Sequence, residues 1–269
     1  MCGTCGCNDS TTGITLTKYD DRLIHEQDHH HHHDHDHDHN EHHIHPHTHS
    51  SLKRSVIDVE QDILHQNNSL AARNREYFNA RTITALNLVS SPGSGKTTIL
   101  ERTIKDMDES RFNVIEGDQQ SQNDAARIAA LQVPVVQINT GKGCHLESDM
   151  VYEAVKSLDI TVPNSFLMIE NVGNLVCPSM FDLGEQKRVV IISVTEGEDK
   201  PIKYPDMFHT SDVCLINKVD LLPYLEMDLN LLKENIKKVK PDMLIFDVSA
   251  TKGDGMNEWY QWLTEIQNR

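Results

Sequence analysis

Short apolar runs alternate with longer amphipathic stretches from residue 85 to the end of the chain. Runs at 85–89, 113–115, 133–138, 165–169, 188–194, 213–216 and 243–248 are dominated by Val, Ile, Leu and Met, the pattern of short strands buried on both faces. Between them, residues 97–106, 121–131, 147–158, 229–239 and 256–266 read as helices. Strands alternating with helices predict an α/β fold, a mostly parallel sheet flanked by helices. Ligands of such sheets bind beyond the C-terminal ends of the strands. Upstream, Val56, Val59 and Ile63, with Leu70 and Tyr77 further on, predict one or two helices leading into the domain.

The first fifty residues lack this pattern and carry a different chemistry. Cys2, Cys5 and Cys7 form a Cys-x-x-Cys-x-Cys array, and residues 29–49 are almost wholly His and Asp. Thiolates and imidazoles hold soft or borderline divalent metals. The tract is too poor in apolar residues to build a core, so it is expected to be disordered unless metal-loaded. Asp34, Asp36 and Asp38 interrupt the histidines, and the tract lies inside the sequence. Both facts favour a native metal-buffering segment over an expression tag.

A net charge of −16 excludes a nucleic-acid partner, because a phosphate backbone is bound through clustered Lys and Arg. No apolar stretch approaches the roughly 20 residues needed to cross a bilayer, and no secretory leader pattern opens the chain. A soluble, cytoplasmic protein is expected. The six cysteines then point to thiolate ligands or free thiols rather than a disulfide frame.

At the end of the 85–89 run stands Ser90-Ser91-Pro92-Gly93-Ser94-Gly95-Lys96-Thr97-Thr98. Gly93, Ser94 and Gly95 permit a tight loop, and the N-H groups of the helix start, through Thr98, cradle phosphates. Lys96 bridges the outer phosphates and the Thr97 hydroxyl ligates Mg2+. Ser90 replaces the first glycine of the general pattern. Asn217-Lys218-Val219-Asp220 ends another apolar run. There the Asp220 carboxylate can accept from guanine N1-H and its 2-amino group, which adenine cannot match, so GTP and GDP are the expected nucleotides. Ser249 and Ala250, in Ser249-Ala250-Thr251-Lys252, would back the base with N-H groups. Glu170-Asn171-Val172-Gly173 looks like the element that senses the third phosphate, with Gly173 donating its N-H. Glu170 would hold Mg2+ through water or orient the attacking water, and Asp118 is a second candidate for either task. Asp118 read as the N-cap of a helix beginning near residue 121 is an equal alternative. The organisation is a metal-binding tail at 1–50, a helical lead-in at 51–80 and a P-loop GTPase domain at 81–269.

Cys144 and His145 follow Gly141 and Gly143 in a loop after an apolar run, and Cys177 lies four residues past Gly173. Adjacent residues on a strand point to opposite faces, but a glycine-punctuated loop lets both reach one ion. A lone Cys is more often a small buried hydrophobe, and Cys214, inside the 213–216 run, fits that description. Cys144 and Cys177 instead sit beyond strand ends, as a metal pair with His145 as a third ligand. A shift of Gly173 with the nucleotide would reach Cys177 and link the two sites.

Together these motifs resemble the hydrogenase nickel-incorporation GTPases, the HypB family, within the dimer-forming SIMIBI class of P-loop GTPases. The resemblance covers residues 80–269 and the N-terminal Cys2-x-x-Cys5-Gly6-Cys7. It implies hydrolysis of GTP to GDP and phosphate, and Ni2+ held near-planar by the Cys2 amine and the three N-terminal thiolates. A GTP-dependent homodimer with Cys144, His145 and Cys177 near its interface is implied too. Delivery of nickel to a NiFe-hydrogenase large-subunit precursor, with a nickel-binding accessory protein as partner, completes the picture. A urease-accessory nickel GTPase is the nearest rival, but its relatives place the His two residues after the Cys. A nickel-storage protein with a vestigial GTPase fold is another, opposed by intact phosphate and base motifs. Zn2+ suits the internal Cys-His site at least as well as nickel, so the metal stays open.

Overall fold

The computed structural model describes residues 15–19, 25–27, 56–119 and 123–268. Cys2, Cys5, Cys7 and the 29–49 tract lie outside the described residues. The strands are β1 (Thr15–Tyr19), β2 (His25–Gln27), β3 (Thr84–Ser90), β4 (Phe112–Asp118), β5 (Val135–Asn139), β6 (Phe166–Glu170), β7 (Lys187–Ser193), β8 (Val213–Asn217) and β9 (Leu244–Asp247). The helices are α1 (Val56–Ala80), α2 (Lys96–Asp106), α3 (Asn123–Ala129), α4 (Ser148–Leu158), α5 (Lys200–Lys203), α6 (Pro205–Thr210), α7 (Leu229–Val239) and α8 (Met256–Gln267). One sheet runs in the order β2-β1-β5-β4-β6-β3-β7-β8-β9. Every pairing from β5 to β9 is parallel, as the strand–helix alternation predicts.

Successive residues of β3 serve opposite faces of the sheet. Leu86 and Leu88 pack with Ile99, Leu100 and Ile104 of α2 and with Trp259 and Leu263 of α8. On the other face, Ala85 joins Phe78 of α1 and Val151 and Ala154 of α4, while Val89 joins Phe208 of α6 and Ile236 of α7. Such layers account for the uninterrupted apolar runs. Trp259 is buried with its ring N-H donated to Thr103 Oγ1 at 3.0 Å, so its one polar atom is satisfied. Cys214 is fully buried in β8, and burial pushes its thiol far above the ordinary range.

The lead-in, read as one or two helices, is a single helix, α1, packed on α4. Two features depart from the sequence reading. Helices α5 and α6 are too short for periodicity to reveal, although Pro205 opens α6 at a position that suits its missing N-H. Residues 15–19, placed in the tail by sequence, form an antiparallel strand against β5, with Thr15 opposite Asn139 and Tyr19 opposite Val135.

Candidate functional site

The phosphate loop leaves β3 at Ser90 and enters α2 at Lys96. Gly93 and Gly95 have φ of +78° and +94°, the left-handed region that a side chain disfavours. A Cβ on Gly95 would fall 2.4 Å from Asn217 Nδ2, so the loop closes against the end of β8 only with glycine there. Asn217 donates from Nδ2 to Ser94 O at 2.9 Å and accepts from Ala250 N at 3.2 Å. Lys218, itself at φ 65°, donates to Gly93 O at 2.7 Å. Ser249 Oγ donates to Asp220 Oδ1 at 2.6 Å and accepts from Lys252 N at 3.1 Å. Three segments distant in sequence are thus one hydrogen-bonded unit. No side chain caps α2, which leaves its first N-H groups, Thr98 included, facing the loop as an anion cradle. The Thr98 hydroxyl accepts from Arg127 Nη2 at 3.4 Å.

Glu170, at the end of β6, accepts on Oε1 from Lys96 Nζ at 3.0 Å and from Thr97 Oγ1 at 2.6 Å. Its Oε2 is buried without a hydrogen-bond partner among the described residues. That oxygen, beside the Thr97 hydroxyl, fits the hard oxygen donors that Mg2+ takes. Asp118 ends β4, and α3 starts five residues later at Asn123. Residues 120–122 between them lie outside the described residues, so both readings of Asp118 stand. The Asp118 carbonyl accepts from Thr140 N at 2.9 Å, fixing the start of the loop that carries Cys144.

That loop holds its turn through Gly143 N donating to Thr140 O at 2.8 Å. Cys144, His145 and Cys177 converge, each offering a ligand atom within 4.8 Å of the others. Metal–ligand bonds of about 2.0–2.3 Å span at most about 4.6 Å between two donors, so the trio closes on an ion with small shifts. Cys144 Sγ lies 3.6 Å from His145 Nδ1. The His145 ring stacks on Phe181 with centroids 3.9 Å apart. His145 Nε2 is buried without a hydrogen bond among the described residues; Glu147 Oε1, at 3.5 Å, is too far for one. Cys177 is buried at the start of a 3-10 turn, Cys177–Met180. Gly173 sits against the phosphate loop, where a Cβ would meet Pro92 Cα at 3.3 Å. One short segment therefore joins the two sites.

A family model described as "CobW/HypB/UreG, nucleotide-binding domain" matches residues 84–247. The chain belongs to this family. Among its relatives is the hydrogenase maturation factor HypB of Azotobacter vinelandii, 56% identical over 209 residues, covering 77% of this chain and 69% of that one. HypB of Escherichia coli K12 is 53% identical over 212 residues, covering 78% and 73%. Two solved HypB structures share the fold. One, from Helicobacter pylori in complex with nickel, has a TM-score of 0.71 at 39% identity and covers 76% of this chain and 95% of its own. The other, from Archaeoglobus fulgidus, has a TM-score of 0.70 at 38% identity, covering 76% and 99%.

The HypB-type motifs leave out a second buried acid. Glu116 of β4 is the register partner of Glu170 and is 2% exposed, with Oε2 unpartnered among the described residues. Burial first, then the negative charges of Glu170 and Asp118, push its carboxyl up to about 9. A lone Glu in an apolar run was the available signal. Behind the metal loop, Arg188 and Glu185 form a buried pair at 2.8 Å, also invisible to motif reading.

Proposed function

We propose that this chain is a GTP-hydrolysing nickel metallochaperone that serves maturation of a NiFe hydrogenase. The observation that carries this reading is the stretch from Glu170 to Cys177. Its first residue holds Lys96 and Thr97, and its last joins Cys144 and His145. The names of the HypB relatives and the nickel complex of one of them support the cargo and the destination.

Gly93 through Thr98 would wrap the phosphates, with Lys96 moving from Glu170 to the outer phosphate oxygens. Bound Mg2+ would neutralise phosphate charge, with Thr97 and the freed Glu170 as its protein-side partners. Glu170 or Asp118 would orient the attacking water, and Gly173 N-H would meet the third phosphate. Asp220, oriented by Ser249, would read guanine, with Asn217 and Lys218 bracing the phosphate loop and Ala250 bracing Asn217. Cys144, His145 and Cys177 would carry nickel, or zinc in competition with it. Cys2, Cys5, Cys7 and the 29–49 tract would gather nickel. A GTP-dependent homodimer would hand it on, with a nickel-binding accessory protein, to the large-subunit precursor. No helix among the described residues is long and apolar enough to cross a membrane, in keeping with a cytoplasmic setting.

The test is turnover of GTP and ATP by the full chain with Mg2+, alongside nickel transfer to a nickel-free hydrogenase large-subunit precursor. Preferential GTP turnover and GTP-dependent nickel loading are expected. Equal turnover of ATP, or loading indifferent to GTP, would overturn the reading.

A further inference from the structure

Two routes lead from the phosphate sensor to the metal cluster. One is the backbone from Glu170 to Cys177. The other is a buried line of side chains that begins at Asn171. Asn171 is 1% exposed and bonds through both its amide oxygen and its amide nitrogen. Its Oδ1 accepts from Leu146 N at 3.2 Å and from Val172 N at 2.9 Å, and its Nδ2 donates to Asn87 Oδ1 at 3.2 Å. Leu146 directly follows His145. Asn87, 0% exposed in β3, passes the line on by donating to Glu185 Oε1 at 3.1 Å. That oxygen also accepts from Arg188 Nε at 3.0 Å and Nη2 at 2.8 Å. Arg188 then donates to Ser179 O at 3.1 Å and to Phe181 O at 2.8 Å. Ser179 lies within the turn that begins at Cys177, and Phe181 carries the ring on which His145 stacks.

We propose that Asn171 is a positioning residue for the metal cluster, the side chain through which the phosphate sensor sets the spacing of Cys144, His145 and Cys177. This rests on the nucleotide and nickel readings above. Asn171 is bonded to Glu170 in the chain, and its own backbone N-H is fixed to Leu88 O at 2.9 Å, next to the strand end that feeds the phosphate loop. A rearrangement of Glu170 on phosphate binding therefore reaches Asn171 with no flexible residue between. Water cannot replace partners in a site this buried, so a moved Asn171 must carry Leu146 and Asn87 with it or leave polar groups unpaired. The line grips the cluster at two points, the 144–146 loop directly and the turn beyond Cys177 through Arg188. A change in one grip alters the distance between the two thiols. The backbone route carries Cys177 and, through Asn174 Nδ2 donating to Cys144 O at 3.3 Å, touches the 144–146 loop at a single second point.

The experiment uses the full chain with Cys2, Cys5 and Cys7 replaced by Ser, so that the N-terminal thiols do not compete while Thr15–Tyr19 stays in the sheet. Nickel alone is titrated with GDP and with a non-hydrolysable GTP analogue, following thiolate-to-nickel absorption. In the parent, affinity should differ between nucleotide states by about 5- to 150-fold, the usual range of coupling between sites. In Asn171→Ala, which keeps the covalent backbone and the Asn174–Cys144 contact but loses the Leu146, Val172 and Asn87 contacts, the ratio should fall severalfold towards one and the absorption bands of the two states should draw together. Asn87→Ser, which cuts the line one residue on, should lower the ratio without removing the Leu146 contact. A ratio unchanged in both variants would overturn the proposal and leave the backbone route as the sole link. Loss of nickel binding in both states of Asn171→Ala would also overturn it, making Asn171 part of the site's stability. A parent with one affinity in both states would remove the underlying nucleotide–nickel reading instead, and this proposal with it. If Asn171→Ala fails to fold, Asn171→Asp, which keeps the acceptor for Leu146 but loses the donor to Asn87, and Asn87→Ser should each lower the ratio, and a ratio unchanged in both would overturn the proposal.

Discussion

Asn217 and Ser94 are bound to each other across the phosphate loop, Nδ2 to carbonyl at 2.9 Å, and the space for a side chain at Gly95 ends at that same nitrogen. Gly95→Ala would add a Cβ 2.4 Å from Asn217 Nδ2 at a φ of +94°. It should break this bond and lower affinity for GDP and GTP by at least about tenfold, roughly 1.4 kcal/mol. Titration with a fluorescent GDP would show it. Unchanged affinity would mean that the loop and the end of β8 are not a single unit.

Asp220 should decide the base. Asp220→Asn is expected to exchange guanine for xanthine preference by at least about tenfold, since the amide donates where the carboxylate accepted. Ser249→Ala removes the hydroxyl that holds Asp220 Oδ1 at 2.6 Å. It should weaken GTP binding by about 0.5–1.5 kcal/mol without changing the preference. Competition of GTP and XTP for each variant reads both effects.

Glu116 makes stability depend on pH. Its carboxyl sits at about 9 in the fold against an ordinary 4.5. Between those values the native state keeps a proton that the unfolded chain releases. Stability therefore falls as pH rises through this window, by up to about 1.4 kcal/mol per unit, and the fall ends above the folded value. Glu116→Gln has no proton to lose, so its loss of stability from pH 6 to pH 8.5 should be smaller. Urea unfolding of metal-free, nucleotide-free protein at the two pH values tests this. Equal losses in parent and variant would show Glu116 already ionised in the fold.

Truncation should separate the strand from the rest of the tail. Thr17 of β1 is 5% exposed, and the Tyr19 hydroxyl donates to Gln137 Oε1 at 3.2 Å. Deleting residues 1–50 removes this strand and bares the β5 edge. Its midpoint temperature should drop by several degrees, at about 2–4 °C per kcal/mol for a domain of this size. Deleting residues 1–13 should leave the midpoint in place. Thermal scans of both forms would decide, and equal midpoints would deny β1 a structural role.

Much of this fold is legible because a strand buried on both faces must be written in apolar residues. The six parallel strands from β3 to β8 follow that rule, whereas β9 closes the sheet edge with no buried residue, and the phosphate and base motifs sit where the strand ends require. β1 escapes because one strand at the sheet margin can alternate, and Thr15-Leu16-Thr17-Lys18-Tyr19 next to a His/Asp tract reads as polar chain. Convergence of Cys144, His145 and Cys177 follows from loop chemistry and the shared sheet end. Asn171 and Glu116 are different: their importance lies in which residue faces them on the neighbouring strand or loop. Periodicity along one strand does not carry that pairing. Nor does a motif reveal that Glu185 and Arg188, three residues apart, would be buried together behind the metal loop.

The direction of β1 decides where the N-terminal part of the chain is moored. Because Thr15, and not Tyr19, lies opposite Asn139, the polypeptide enters the sheet at the rim that bears Cys144, five residues beyond Asn139. A parallel strand would have moored it at the far rim, about 14 Å away at some 3.4 Å per residue. Cys7 is eight residues from that mooring, so the shortest tether between the two thiol groups of this chain never has to pass around the sheet.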